Sequence, residues 1–278
     1  MIYEKIDLYA ALSIPREGRT GGYLTVYARS AYGDLAPKKR PAALILPGGG
    51  YGYLSAREAE PVALRFLDRG YVSAVLEYTI NTAYPVPLIE AAMAVVYLKS
   101  EAEKYALAGK VCAVGFSAGG HLAGMLATLF HAEEVKAALG KRAPLARPDA
   151  AVLSYPVITT GIHTHGGTAD IISGGDETLR KKLSVEHCVT KDSVPAFIWH
   201  TRDDGAVPVQ NALLLAAAYT EHGVPYEMHV FESGVHGLSV ANTETASPAA
   251  PWCVNASVQR WLEMAFYWLE SRGFTVTD

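Results

Sequence analysis

Ser117 lies in Gly115-Phe116-Ser117-Ala118-Gly119, directly after the apolar run Val111-Cys112-Ala113-Val114 and directly before an apolar stretch of helical length. A G-x-S-x-G pattern between a strand and a helix is the sequence form of a nucleophile elbow, a strained turn that lifts the serine oxygen above a sheet. Small flanking residues are needed because strand and helix pass closely there. A serine hydroxyl is a weak nucleophile at its own pKa, so it needs a base, and the base needs a carboxylate to orient it. Both follow in the order acid, then histidine. Asp203 and Asp204 stand in Thr201-Arg202-Asp203-Asp204-Gly205-Ala206-Val207-Pro208, a turn ahead of a helix, and either acid could orient the base. His236 stands in Glu232-Ser233-Gly234-Val235-His236-Gly237, a loop from which an imidazole can reach over a nucleophile.

Acyl transfer also develops negative charge on the carbonyl oxygen, which backbone N–H groups can hold. Pro47-Gly48-Gly49-Gly50-Tyr51 follows a predicted strand, and the N–H groups of Gly49, Gly50 and Ala118 are the expected oxyanion donors. The run lacks the G-x-G-x-x-G spacing of a dinucleotide loop. His163-x-His165 has no third ligand at suitable spacing, so no metal is expected. Nor does the chemistry call for a cofactor. Tyr51, Tyr53, His163 and Trp252 are polar or aromatic loop residues suited to contact a glycan.

The elements that must carry these residues alternate. Short apolar runs at Pro41–Pro47, Tyr71–Tyr78, Lys110–Phe116, Ala150–Tyr155, Pro195–His200 and Tyr226–Phe231 predict strands, the first five of the continuously apolar kind buried on both faces. Helical patterns cover Ser55–Arg69, Val86–Ala106, Ala118–His131, Val209–His222 and Ser257–Ser271. This predicts repeated βαβ units and an α/β fold, a mostly parallel eight-stranded sheet with helices on both faces. Tyr3–Tyr9 and Tyr23–Arg29 alternate in polarity and predict an antiparallel hairpin at the sheet edge. Residues 156–194 are poor in apolar periodicity and predict a lid-like insertion within a single domain spanning 1–278.

On these residues the chain resembles the α/β-hydrolase superfamily in its esterase and lipase branch. More narrowly, Pro47-Gly48-Gly49-Gly50-Tyr51 with Ser55-Ala56-Arg57-Glu58-Ala59-Glu60-Pro61, the Ser117 elbow running on to Gly120-His121-Leu122-Ala123, and His200 to Pro208 look like bacterial acetylxylan-esterase-like carbohydrate esterases. The resemblance covers about residues 20 to 271. It departs at Pro47, where the lipase pattern has His, a change that leaves the backbone donors untouched. The resemblance implies Asp204 as the acid, because an acid separated by two residues from a Val-Pro helix start is the family's arrangement. It implies a serine esterase with a Ser117, His236, Asp204 triad, acting on short acyl esters, with acetyl esters of sugars or oligosaccharides as the expected substrates. Alternatives are a general short-chain carboxylesterase or lipase, and a prolyl-oligopeptidase-like peptidase.

Composition narrows the partners. The 278 residues are 50% hydrophobic and 19% charged, which suits a folded core and excludes a disordered chain. A net charge of -4, with no basic cluster denser than Lys38-Lys39-Arg40, gives no electrostatic case for nucleic acid. No apolar run reaches the roughly 18 residues of a membrane span. The first residues do not form a secretory signal, and three scattered cysteines make no disulfide framework, so a cytoplasmic location is the expectation. Exposed apolar surface near the last helix is a candidate for homo-oligomer contacts, although an apolar stripe at helical spacing more often packs on the sheet.

Overall fold

A computed structural model of the chain describes residues 1–30, 37–247 and 250–278. Eight strands form one sheet: β1 (Ile2–Asp7), β2 (Tyr23–Ala28), β3 (Arg40–Leu46), β4 (Val72–Glu77), β5 (Leu107–Phe116), β6 (Ala150–Ser154), β7 (Ala196–Thr201) and β8 (Tyr226–Phe231). Their order is β1-β2-β4-β3-β5-β6-β7-β8. β1 and β2 pair antiparallel at one edge, β2 meets β4 antiparallel, and every later pairing is parallel.

The continuous apolar runs arise because both sheet faces are covered. Along β3, Ala42, Leu44 and Leu46 enter one core, while Ala43 and Ile45 enter the other. The helices are α1 (Leu8–Ala11), α2 (Glu60–Asp68), α3 (Val86–Ser100), α4 (Ala118–Leu129), α5 (Glu133–Leu139), α6 (Gly166–Ser173), α7 (Glu177–Lys182), α8 (Val185–Cys188), α9 (Gln210–Glu221) and α10 (Trp261–Ser271). Buried residues of α3, α4 and α9 fill the first core, and those of α2 and α10 fill the second. β8 closes the far edge and is only partly covered, as an edge strand must be.

Two helix boundaries differ from the periodicity. The pattern over Ser55–Arg69 is a 3-10 turn at Ala56–Glu58 followed by α2, because Pro61 cannot sit inside a helix continuing from Ser55 and instead occupies its first turn. The pattern over Val86–Ala106 stops at Ser100. Ala106 there has a φ of 52°, and Leu107 already begins β5. The stretch 156–194 holds the short helices α6, α7 and α8, of which α8 packs on α4 and α9. No described helix is long and apolar enough to cross a membrane.

Candidate active site

β5 runs into α4 through Ser117, whose φ of 53° and ψ of -117° hold the residue in the left-handed region. That conformation is costly for a residue with a Cβ and persists only where packing enforces it. The packing is visible at the flanking glycines. A Cβ on Gly115 would lie 2.2 Å from the carbonyl oxygen of Gly119, and one on Gly119 would lie 2.1 Å from that of Leu46. The glycines therefore permit β5, α4 and β3 to converge beneath the serine.

The hydroxyl of Ser117 meets Nε2 of His236 at 2.8 Å, and Nδ1 of His236 meets Oδ2 of Asp204 at 2.7 Å. A carboxylate accepts only, so the proton sits on Nδ1 and leaves Nε2 free to accept from the serine. Asp204 is held in turn, since its Oδ1 accepts the N–H groups of Ala206 and Val207, each at 2.9 Å. Burial acts to raise its pKa, but the nearby His200 ring, 3.6 Å away, the hydrogen bond from His236 and the N–H of Val207 outweigh burial and hold it well below the usual carboxylate range. The group thus stays ionised where it faces the imidazole.

Asp203 points elsewhere. Its carboxylate accepts from the Ser233 hydroxyl at 2.9 Å and the Gly234 N–H at 2.8 Å, on the loop that carries His236. Thr201 of β7 adds a 2.7 Å bond to the carbonyl of Gly234. The ring of Tyr155 stands edge-on to His236 with centroids 5.0 Å apart.

The glycine loop after β3 lies beside the serine. Gly49 and Gly50 line a cavity of about 610 Å3 together with Ser117 and His236. Gly49 has a φ of 124°, and a Cβ there would strike the carbonyl oxygen of Tyr53 at 2.1 Å. Among the described residues, the N–H groups of Gly49, Gly50 and Ala118 donate to no protein acceptor. Two bonds anchor the loop without a histidine at position 47. Tyr78 donates its hydroxyl to the carbonyl of Pro47 at 2.6 Å, and Gly48 donates its N–H to Oε2 of Glu58 at 2.8 Å.

Glu58 is 3% exposed, and its Oε1 accepts the Tyr155 hydroxyl at 2.7 Å. Burial pushes its pKa up, against the hydrogen bonds from Tyr155 and Gly48 and the nearby His236. The Tyr155 oxygen also accepts the N–H of Ser239, so one carboxyl ties the glycine loop to the loop following His236.

The predicted glycan contacts fare differently from one another. Tyr53 lines the cavity and is exposed. Tyr51 is fully buried, its hydroxyl bonded to Nδ1 of His121 at 3.0 Å, so its expected contact with a glycan is corrected. Its φ of 63° turns the side chain inward from the loop. His163 and Trp252 are not among the cavity-lining residues, whereas His165 is. His165 caps α6, its Nδ1 accepting the N–H of Thr168 at 3.3 Å, which sets the ring beside Gly50. Arg57, Glu58 and His165 were not legible as site residues. Glu58 and the exposed Glu60 stand two residues apart in one polar stretch, with nothing local to separate them.

Comparison with known proteins adds to this geometry. A family model described as BD-FAE matches residues 34–159. The chain is 40% identical over 215 residues to endo-1,4-beta-xylanase B of Butyrivibrio fibrisolvens, covering 74% of this chain and 34% of that protein. It is 27% identical over 205 residues to an acetylxylan esterase of Xylanibacter ruminicola, covering 69% of this chain and 40% of the relative. The chain thus spans well under half the length of either curated relative. A crystal structure of an acetyl ester-xyloside bifunctional hydrolase from Caldicellulosiruptor lactoaceticus superposes with a TM-score of 0.82 at 31% identity, covering 98% of this chain and 97% of that one.

Proposed function

Because the chain belongs to the α/β-hydrolase superfamily, in its esterase and lipase branch, we propose that it is a serine carboxylesterase that cleaves short-chain acyl esters, chiefly acetyl esters of sugars or oligosaccharides. The observation that carries this reading is the unbroken line from the Ser117 hydroxyl through His236 to Asp204, at 2.8 and 2.7 Å.

The reaction proceeds in two steps. His236 Nε2 takes the Ser117 proton as the oxygen attacks the ester carbonyl, and Asp204 stabilises the imidazolium that forms. The N–H groups of Gly49, Gly50 and Ala118 receive the negative oxygen of the tetrahedral intermediate. His236 returns the proton to the departing alcohol, which leaves an acyl group on Ser117. Water, deprotonated by the same imidazole, then attacks the acyl-enzyme and releases the acid. The first nucleophile, the general base and the oxyanion donors of these steps are all groups of the protein.

A sugar ester as substrate is supported by the relatives named for xylan and acetyl-ester chemistry. The cavity is consistent with it. Its wall carries Tyr53, Ser55, Thr245 and Ser247, polar groups suited to a hydroxylated ligand. The test is hydrolysis of p-nitrophenyl acetate, butyrate and octanoate beside acetate release from acetylated xylo-oligosaccharides, with Ser117→Ala as control. Preference for acetate together with sugar deacetylation supports the proposal. Preference for longer chains without sugar deacetylation assigns a general carboxylesterase, and full activity in Ser117→Ala overturns the mechanism.

A further inference from the structure

Arg57 lines the same cavity as Ser117 and His236, half-buried on the 3-10 turn ahead of α2. Its position is fixed at both ends. Ser239 donates its hydroxyl to the Arg57 carbonyl at 2.6 Å, and Nη1 donates to the Cys253 sulfur at 3.0 Å. A thiol is a weak, neutral acceptor and leaves the guanidinium charge uncompensated.

Among the described residues, no carboxylate lies within 4.0 Å of the Arg57 guanidinium, and its other N–H groups have no acceptor. The undescribed positions nearest in sequence to Cys253, Pro248 and Ala249, carry no charge. The one acidic side chain of the cavity wall, Glu58, has its two oxygens taken by Gly48 and Tyr155 and is turned away from solvent. Other part-buried arginines are satisfied by carboxylates, as Arg16 is by Asp7 and Arg180 by Asp170, or by backbone carbonyls, as Arg40 is by Gly70 and Arg142 by Leu12, whereas the side-chain acceptor of Arg57 is a thiol. A partly desolvated guanidinium with unused donors is a site for an anion, and its planar fork matches a carboxylate.

We propose that Arg57 forms an anion subsite in the active-site cavity, which takes a carboxylate carried by the ester substrate. This inference rests on the esterase reading above. An acetyl group carries no charge, so the carboxylate belongs to the alcohol side, and the substrate class is an acetylated saccharide that contains a uronic acid.

The test compares acetate release from a mono-O-acetylated methyl glucuronoside as the free acid and as its primary amide, which has nearly the same shape without the charge. In the wild type the acid is preferred by about tenfold or more in kcat/KM, the size expected of one charge-assisted hydrogen-bonded pair. The preference resides in KM and shrinks as salt is raised from low ionic strength. Arg57→Met brings the acid-to-amide ratio to near one, and Arg57→Lys retains part of it. Taking a ratio cancels any loss common to both substrates, and the wild-type salt dependence stands even if a variant folds poorly. Hydrolysis of acid and amide at equal rates by the wild type, or an unchanged ratio in Arg57→Met, overturns the anion subsite and leaves the esterase reading intact. If acid, amide and p-nitrophenyl acetate all resist hydrolysis, the esterase reading fails and the subsite falls with it.

Discussion

Glu58 Oε2 accepts the N–H of Gly48 at 2.8 Å, so the loop proposed to bind the oxyanion is held by a fully enclosed carboxyl ten residues along the chain. A hydrogen bond contributes about 0.5–1.5 kcal/mol, and losing one partner leaves the other buried and unpaired, at a cost of about 1–3 kcal/mol. Here the partner is a backbone group one residue from Gly49, and any shift of Gly48 moves the proposed donors with it.

Glu58→Gln is expected to preserve the fold and lower kcat by about 10- to 100-fold with little change in KM. The amide offers the Gly48 N–H and Tyr155 O–H one acceptor oxygen rather than two, and oxyanion donors misplaced by a fraction of an ångström lose transition-state stabilisation. Steady-state kinetics on p-nitrophenyl acetate, beside a thermal melt, separates this from simple unfolding. A drop in melting temperature with kcat unchanged in the folded fraction would assign Glu58 to stability alone.

Asp204→Asn and Asp203→Asn should behave very differently. The first leaves an amide where His236 needs an acceptor and is expected to lower kcat by about 10^3- to 10^4-fold. The second loosens Ser233 and Gly234 and should cost less than about tenfold. Equal losses in the two variants would remove the distinction between the acids.

Gly119→Ala tests the elbow by sterics alone. The added methyl would sit 2.1 Å from the carbonyl oxygen of Leu46, an atom of the central strand β3 that cannot rotate away. A loss of about 3 kcal/mol or more, or failure to fold, is expected. Chemical denaturation of the purified variant measures it, and near wild-type stability would show that β3 and α4 can part more easily than their contact implies.

His121 predicts how stability depends on pH. Burial lowers its pKa from 6.5 to about 4, partly offset by the bond to the Leu183 carbonyl, so the ring is neutral when folded, donating from Nε2 and accepting from Tyr51. Between pH 6.5 and 4 the unfolded chain binds a proton that the folded chain does not. Stability from this group is therefore full above pH 6.5 and declines as pH falls to about 4, by up to about 3 kcal/mol. Glu58 and Glu90 have raised pKa values and act in the opposite sense over part of this range. The measurement is thus a difference, urea denaturation of wild type against His121→Leu at several pH values. The variant starts less stable and shows a shallower decline on acidification, whereas identical slopes would refute the assignment.

The alternation of apolar runs with helical patterns made the sheet and its helices legible, because parallel strands covered on both faces must be apolar throughout. The elbow was legible for a related reason. Gly115 and Gly119 are demanded by backbone contacts with neighbouring segments, and only a residue type without a Cβ meets them. The choice between Asp203 and Asp204 was open in the residues themselves and needed a family likeness to settle, since both precede the same helix.

The sequence by itself determined the elements, their order, and the few positions where sterics or acid–base chemistry permit one residue type. Only the tertiary structure decided which like residues face the cavity. Tyr53 lines it while Tyr51 is buried against His121, His165 reaches it while His163 does not, and Glu58 is enclosed while Glu60 is exposed. Periodicity and turn chemistry act over a few residues and leave a mark in the local sequence. Burial and hydrogen-bond partners are set by segments brought together from as far apart as Glu58 and Tyr155, and such contacts leave no local pattern.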